Sequence, residues 1–126
     1  MVEGKKKGGE RLIRKNVEEV PVEEVNIEGV KKTSIQWIIT KDDGAPNFAM
    51  RRFIMEPGGE IPLHNHPWEH EIFILSGSGE IYTDKERIVA EPGDALFIPP
   101  NEPHGYYNSG EEPFIFLCLI PKPEKG

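Results

Sequence analysis

The sequence has 126 residues, of which 37% are apolar, so it can build one compact core but not two. Its net charge of -7 argues against nucleic acid as the main partner, because an acidic surface repels phosphate. The single cysteine, Cys118, cannot form an internal disulfide, and no run approaches the ~20 apolar residues of a membrane span. No apolar stretch follows the charged start, as it would in a signal peptide, so we expect a cytoplasmic protein that does not bind membranes.

Glycines flank the lysines of residues 1–10, which predicts a flexible N-terminal tail before a single domain at residues 11–126. No stretch sustains the period of a long helix. Short runs rich in Val, Ile, Phe and Tyr, divided by turn sequences, predict strands instead. These lie at residues 11–16, 34–40, 47–56, 70–75, 79–83, 86–91, 95–98, 104–108 and 113–120. The regular alternation of strand and turn predicts an all-β barrel or jelly roll.

The histidines are the strongest functional signal in the sequence. Three of the four lie close together, as His64, His66 and His70, and His104 begins a later predicted strand. Residues two apart on a strand point to the same face, so His64 and His66 can offer both imidazoles to one ion, and His70 shares their parity. Imidazole suits divalent Mn, Fe, Co, Ni, Cu and Zn. The pattern therefore indicates a site for one divalent transition metal; the alternative is four surface histidines without a common partner.

Glycines near these histidines lie at characteristic sequence spacings from them. Five residues separate Gly58 from His64, and six separate His70 from Gly77. The stretches 58–77 and 93–108 resemble the two motifs of the cupin superfamily, and this resemblance covers most of residues 45–121. The second motif matches at Gly93, Pro99, His104 and Asn108. Asn101 replaces its middle glycine, which is a mild departure because asparagine tolerates the left-handed backbone conformation.

The glutamate ligand of the first cupin motif can be aligned here in two ways. One spacing puts His70 in its place and the other puts Glu71 there. Adjacent strand residues point to opposite faces, so we do not expect both to bind one ion. The parity of His70 and its distance from Gly77 favour His70. Glu71 could instead hydrogen-bond to one of the ligands and orient it, or lie on the surface.

A narrower resemblance is to the small four-histidine manganese cupins of thermophiles. It is carried by residues 45–48, 56–59, 64–73 and 116–121. It implies a double-stranded β-helix, a homodimer and a manganese ion held by His64, His66, His70 and His104. Fe, Ni, Cu or Zn are alternatives, because the general order of affinities does not favour manganese. The resemblance does not supply a substrate.

Four imidazoles would leave two positions of an octahedral ion open, which fits redox or oxygen chemistry. We expect a pocket lined by Tyr106, Phe116, Cys118 and Arg52, with Arg51 as the alternative arginine. No residue beyond the metal ligands stands out as catalytic. The function we expect is an oxidoreductase, dioxygenase-like or peroxide-using, that acts on a small organic substrate with manganese or iron. The alternatives are a non-catalytic, metal-dependent binder of a small molecule and a protein whose metal only holds the barrel together.

Overall fold

The computed structural model describes residues 12–124. Within these residues the strands pair antiparallel into one curled sheet. They are β1 (Glu23–Glu24), β2 (Lys31–Ile39), β3 (Ala49–His64), β4 (His70–Ser76), β5 (Gly79–Thr83), β6 (Arg87–Ala90), β7 (Ala95–Ile98), β8 (His104–Tyr107) and β9 (Phe114–Ile120). Two short 3-10 helices lie at Val17–Glu19 and Lys41–Asp43. In this part of the chain, no helix is long and apolar enough to cross a membrane.

The long strand β3 connects the two halves of the sheet. Residues 49–55 pair with β9 on one side and with β2 on the other, whereas residues 60–64 pair with β8. The sheet order is β6-β5-β8-β3-β9-β4-β7, and β2 and β1 extend it from β3. Pro57, Gly58 and Gly59 form a bend inside β3, where Gly58 has φ 85° and the register with β2 shifts. Because β3 bends there, it contributes to both halves of the sheet around one interior.

The interior is filled by the inward face of each strand. Burial alternates along β9, so Phe114, Phe116 and Cys118 point inward while their neighbours are only half-buried. The ring of Phe116 stacks between those of Phe53 and Tyr106, with centroids 5.3 Å away in each case. These stacked rings form an apolar layer across the interior.

The prediction of an all-β barrel is confirmed, and the strands from β4 onward lie within about two residues of their predicted bounds, the usual error of strand ends. The predicted strand at 11–16 is wrong for residues 12–16, which form no strand. The chain there enters a 3-10 helix, whose Glu18 N–H donates to the Asn16 side chain at 2.9 Å. Strand β1 was missed because its two glutamates carry no apolar pattern. Residue 11 and the predicted tail at 1–10 lie outside the described residues.

Asn108 ties β8 to the bend in β3 and to the loop before β9. The side chain is fully buried, and its Nδ2 donates to the carbonyls of Met55 and Glu112, both at 2.8 Å. Its Oδ1 accepts from the Gly110 N–H at 2.9 Å. The side chain therefore satisfies backbone groups of β3 and of the loop before β9 at once.

Replacing Asn108 with alanine should lower the free energy of unfolding by about 3 kcal/mol, because buried backbone groups lose their partners. Urea denaturation measures the loss. The exposed neighbour Ser109 is the matched control, and Ser109→Ala should stay within about 0.5 kcal/mol of wild type. Equal losses in the two variants would contradict this role of Asn108.

Candidate metal centre

The four histidines reach one region of the interior from three strands and a turn. His64 ends β3, His70 begins β4 and His104 begins β8, whereas His66 lies between β3 and β4. His64 and His104 are direct partners in the ladder between β3 and β8. The carbonyl of His66 accepts a hydrogen bond from the Asn101 N–H at 2.6 Å. Asn101 has φ 67°, so it adopts the left-handed conformation that its place in the second motif predicted.

The imidazole rings lie at the spacing of ligands around a common point. Ring centroids are 4.4 Å apart for His64 and His104, 4.9 Å for His64 and His66, and 4.8 Å for His70 and His104. His66 lies 5.4 Å from His70 and 6.3 Å from His104. Two imidazoles bound at right angles to one ion, through nitrogens at about 2.1 Å, have centroids about 4.5 Å apart.

The ring nitrogens are not all turned onto that point. Among residues 12–124, no group of three or more His, Cys, Asp or Glu side chains has the geometry of a formed metal site. A half-turn of an imidazole about its Cβ–Cγ bond exchanges each ring nitrogen with a ring carbon, so it redirects the nitrogens and leaves the ring nearly in place. The positions of the rings are therefore compatible with a shared metal ion once their nitrogens point toward it.

The hydrogen bonds leave lone pairs available for an ion. Nδ1 of His64 lies 2.9 Å from the Pro62 carbonyl, and Nδ1 of His104 lies 2.8 Å from the Glu102 carbonyl. A carbonyl only accepts, so each Nδ1 carries the proton and each Nε2 keeps its lone pair. Nε2 of His104 and Nδ1 of His70 are buried without a hydrogen-bond partner within the described residues. Unpartnered, buried ring nitrogens beside further imidazoles fit a transition metal.

The surroundings keep three of these rings neutral. Burial lowers the pKa of His70 to about 3, with the charge of His104 adding to the effect. Burial likewise lowers the pKa of His104 to about 4, against the hydrogen bond from its ring to the Glu102 carbonyl. The pKa of His66 is also lowered, first by burial and then by the charges of His64 and Arg51. Neutral imidazole is the form that binds metal, so these rings are ready to do so at neutral pH.

The two alternative ligands of the first motif lie on opposite faces of β4. His70 is buried, with 3% of its surface exposed, whereas Glu71 is exposed on the outer face. Trp68 lies beside the histidines, and its ring stacks on that of His66 at 4.7 Å. Lys122 lies over the Trp68 ring at 5.6 Å.

Three of the four expected pocket residues are inside the barrel. Tyr106, Phe116 and Cys118 are buried, and the Tyr106 ring contacts that of His104 at 5.6 Å. Phe116 lies one layer further from the histidines, stacked on Tyr106.

Arg52, the fourth expected pocket residue, lies on the other face of β3 and needs correction. Its Nη1 donates to Oε1 of Gln36 at 2.6 Å. Arg51 faces the interior instead, and its Nη2 donates to Sγ of Cys118 at 2.9 Å. Strand parity is the signal that would have found it, because Arg51 shares its face with the buried Phe53 and Met55.

Comparison with known protein families identifies the family of this chain. The model of the cupin domain matches residues 51–120. The chain belongs to the cupin family. The match includes all four histidines and the interior residues just described, and it confirms the double-stranded β-helix that the resemblance implied.

Several proteins are similar to this cupin. The polyketide cyclase RemF of Streptomyces resistomycificus is 34% identical with a TM-score of 0.84, covering 88% of this chain and 80% of its own. A Thermotoga maritima protein described as a predicted oxalate decarboxylase is 25% identical with a TM-score of 0.77, covering 87% of this chain and 99% of its own. The oxalate-binding protein of Thermotoga maritima is 33% identical over 70 residues, which are 55% of this chain and 58% of that protein. The chain thus spans little more than half the length of such curated relatives.

Proposed function

We propose that this cupin holds one divalent transition-metal ion with His64, His66, His70 and His104. The observation that supports the proposal is the gathering of four imidazoles, two of which have a buried ring nitrogen without a hydrogen-bond partner among residues 12–124. Manganese is the metal we expect, and Fe, Ni, Cu and Zn are the alternatives.

We propose further that the cupin is an oxidoreductase, dioxygenase-like or peroxide-using, for a small organic substrate. The bound ion would supply a Lewis-acidic and redox-capable centre with positions left open by the four histidines. The side chains around it would orient the substrate and keep water out. Burial raises the pKa of Tyr106 well above its usual value, so its hydroxyl stays neutral and can donate a hydrogen bond.

The interior favours a small substrate. Phe53, Tyr106 and Phe116 are at most 9% exposed and fill the barrel behind the histidines. A bulky polyketide, which the name of the Streptomyces cyclase implies for that protein, would need these rings to move. A molecule of a few heavy atoms would displace far less of this layer.

The alternative function is metal-dependent binding of a small molecule without turnover. It is favoured by the oxalate-binding protein of Thermotoga maritima, whose name describes binding and which is 33% identical to this chain. Both functions use the same histidines and differ only in whether a product forms.

Consumption of oxidant separates the two functions. The metal-loaded protein would be mixed with small organic acids and phenols, and the uptake of oxygen or hydrogen peroxide measured. We expect uptake that depends on one substrate class and disappears in His64→Ala, while the exposed-face variant Glu71→Gln keeps it. Saturable binding of a molecule with no uptake of either oxidant would favour the binding function instead.

We also propose a homodimer in the cytoplasm. The outer face of β4 and β7 exposes 45% of Phe73, 41% of Leu75 and 59% of Phe97, and large apolar patches of this kind are usually covered by a partner. The buried Cys118 thiol is unpaired, as is common in a reducing compartment. Light scattering should give twice the chain mass of 14.3 kDa, and a monomer at micromolar concentration would contradict the dimer.

A further inference from the structure

We propose that the ligand of this site is a small organic acid and that Arg51 recognises it, by pairing its guanidinium with a carboxylate. The inference rests on the proposed function, because it names the substrate class of the same site.

Arg51 lies in the layer next to the histidines. In the sheet, Arg51 pairs with Trp37 on β2 and with Cys118 on β9. Cys118 in turn pairs with Ile72 on β4. Ile72 is two residues after His70 on the same inward face. Arg51 is therefore one row of side chains from His70, on the far side of β9.

Two aromatic rings hold the guanidinium in place. Its Cζ lies 5.0 Å from the Phe53 ring centroid and 5.6 Å from that of Trp37. Contacts of this kind attract a cation to the ring face and limit the rotamers of the arginine. The guanidinium is thus pre-organised, which lowers the entropic cost of binding an anion.

Among residues 12–124, no carboxylate forms an ion pair with Arg51. The ion pairs between described residues join Lys15 with Asp43, Lys41 with Glu124 and Arg87 with Glu80, and none of them includes Arg51. Its hydrogen bonds go to Sγ of Cys118 and, at 3.4 Å, to the Cys118 carbonyl.

The neighbouring acidic groups do not supply a counter-charge either. Burial raises the pKa of the Cys118 thiol, so this group stays neutral, and Glu71 faces outward. A divalent ion on four neutral imidazoles would keep its full charge, and Arg51 adds another. A partly buried site of such charge is stabilised by an anionic ligand.

A carboxylate can replace the present partner of the guanidinium. A thiol is a weak acceptor, whereas a carboxylate accepts two parallel hydrogen bonds from the planar guanidinium. An acid that enters between Arg51 and the histidines would exchange a weak contact for a strong one.

The test titrates the metal-loaded protein with malonate and with its uncharged diamide, malonamide, by isothermal calorimetry. The proteins are wild type, Arg51→Gln, Arg51→Lys and the matched control Arg52→Gln, whose side chain lies on the other face of β3. Metal content and the circular dichroism spectrum of each protein are measured first, so that loss of the ion or of the fold is seen separately.

We expect wild type and Arg52→Gln to bind malonate and to reject malonamide. Arg51→Gln should bind malonate about 10- to 100-fold more weakly with unchanged metal content, the usual effect of losing a hydrogen-bonded charge. Arg51→Lys should be intermediate, because lysine keeps the charge without the planar fork. A purely structural role of Arg51 would leave the preference for acid over amide unchanged.

Equal malonate affinity in wild type and Arg51→Gln would overturn the inference, as would equal affinity of wild type for malonamide and malonate. Should Arg51→Gln not fold, Arg51→Lys decides, and wild-type affinity in it would overturn the inference too. If wild type holds no metal, the proposed metal site is wrong, but the same titration still tests the role of Arg51. A preference for malonate that depends on Arg51 would then support the inference. The absence of such a preference would overturn it.

Discussion

Replacing His104 with alanine should abolish the stabilisation that Mn²⁺ gives the wild-type barrel. The His104 ring lies 4.4 Å from that of His64 and 4.8 Å from that of His70, so it is a neighbour of both. Its Nδ1 is held by the Glu102 carbonyl, and its Nε2 is buried with no hydrogen-bond partner in the part of the chain that the structure describes. Mutating a residue that hydrogen-bonds to a metal ligand already lowers metal affinity about 10- to 100-fold. Removing the ligand itself should lower the affinity further.

The effect is visible in the melting temperature. Mn²⁺ at about 100 times its dissociation constant should stabilise wild type by about 2.7 kcal/mol, or raise Tm by about 10 °C. His104→Ala should show no shift at that Mn²⁺ concentration. The exposed Asn65, between two of the proposed ligands, provides the control, and Asn65→Ala should keep the shift. A full Mn²⁺ shift in His104→Ala would remove His104 from the ligand set.

Replacing Gly77 with alanine should prevent stable folding or come close to it. A Cβ on Gly77 would overlap the backbone carbonyl oxygen of Pro113, and the residue has φ +72°. Left-handed backbone costs an L-residue about 1–2 kcal/mol, and overlap with a fixed backbone atom adds more. We expect a total loss above about 4 kcal/mol, which is exceptional for a single substitution.

Gly93 is the matched control for this prediction. It has φ +92°, yet a Cβ there would have nothing within 4 Å. Gly93→Ala should therefore cost only the backbone contribution of about 1–2 kcal/mol. Urea denaturation compares the two variants, and similar losses would show that the close approach of Pro113 to Gly77 does not constrain the barrel.

Local periodicity accounts for most of what the sequence predicted. Strand parity put His70 with His64 and His66 and put Glu71 on the other face, and the structure has both placements. The inward face of β9 followed in the same way from alternation around Phe116 and Cys118. A strand that is half buried carries this information in its own residues, without reference to distant parts of the chain.

Long-range pairing was not accessible in this way. Residues 12–16 look like a strand, but no neighbouring strand pairs with them, and β1 is a strand only because β2 lies beside it. Arg51 and Cys118 are 67 residues apart, and only the register of β3 with β9 brings them together. His66 lies outside the strands, and the hydrogen bond from Asn101 that holds it depends on how two loops meet.

The metal content of the purified protein tests the central claim most directly. Wild type, His70→Ala and Glu71→Ala would be produced without a histidine tag in medium containing manganese and iron, and bound metals measured by mass spectrometry. The four-histidine site predicts one manganese or iron ion per chain in wild type and Glu71→Ala, and none in His70→Ala. Metal-free wild type, or metal that is lost in Glu71→Ala and kept in His70→Ala, would contradict it.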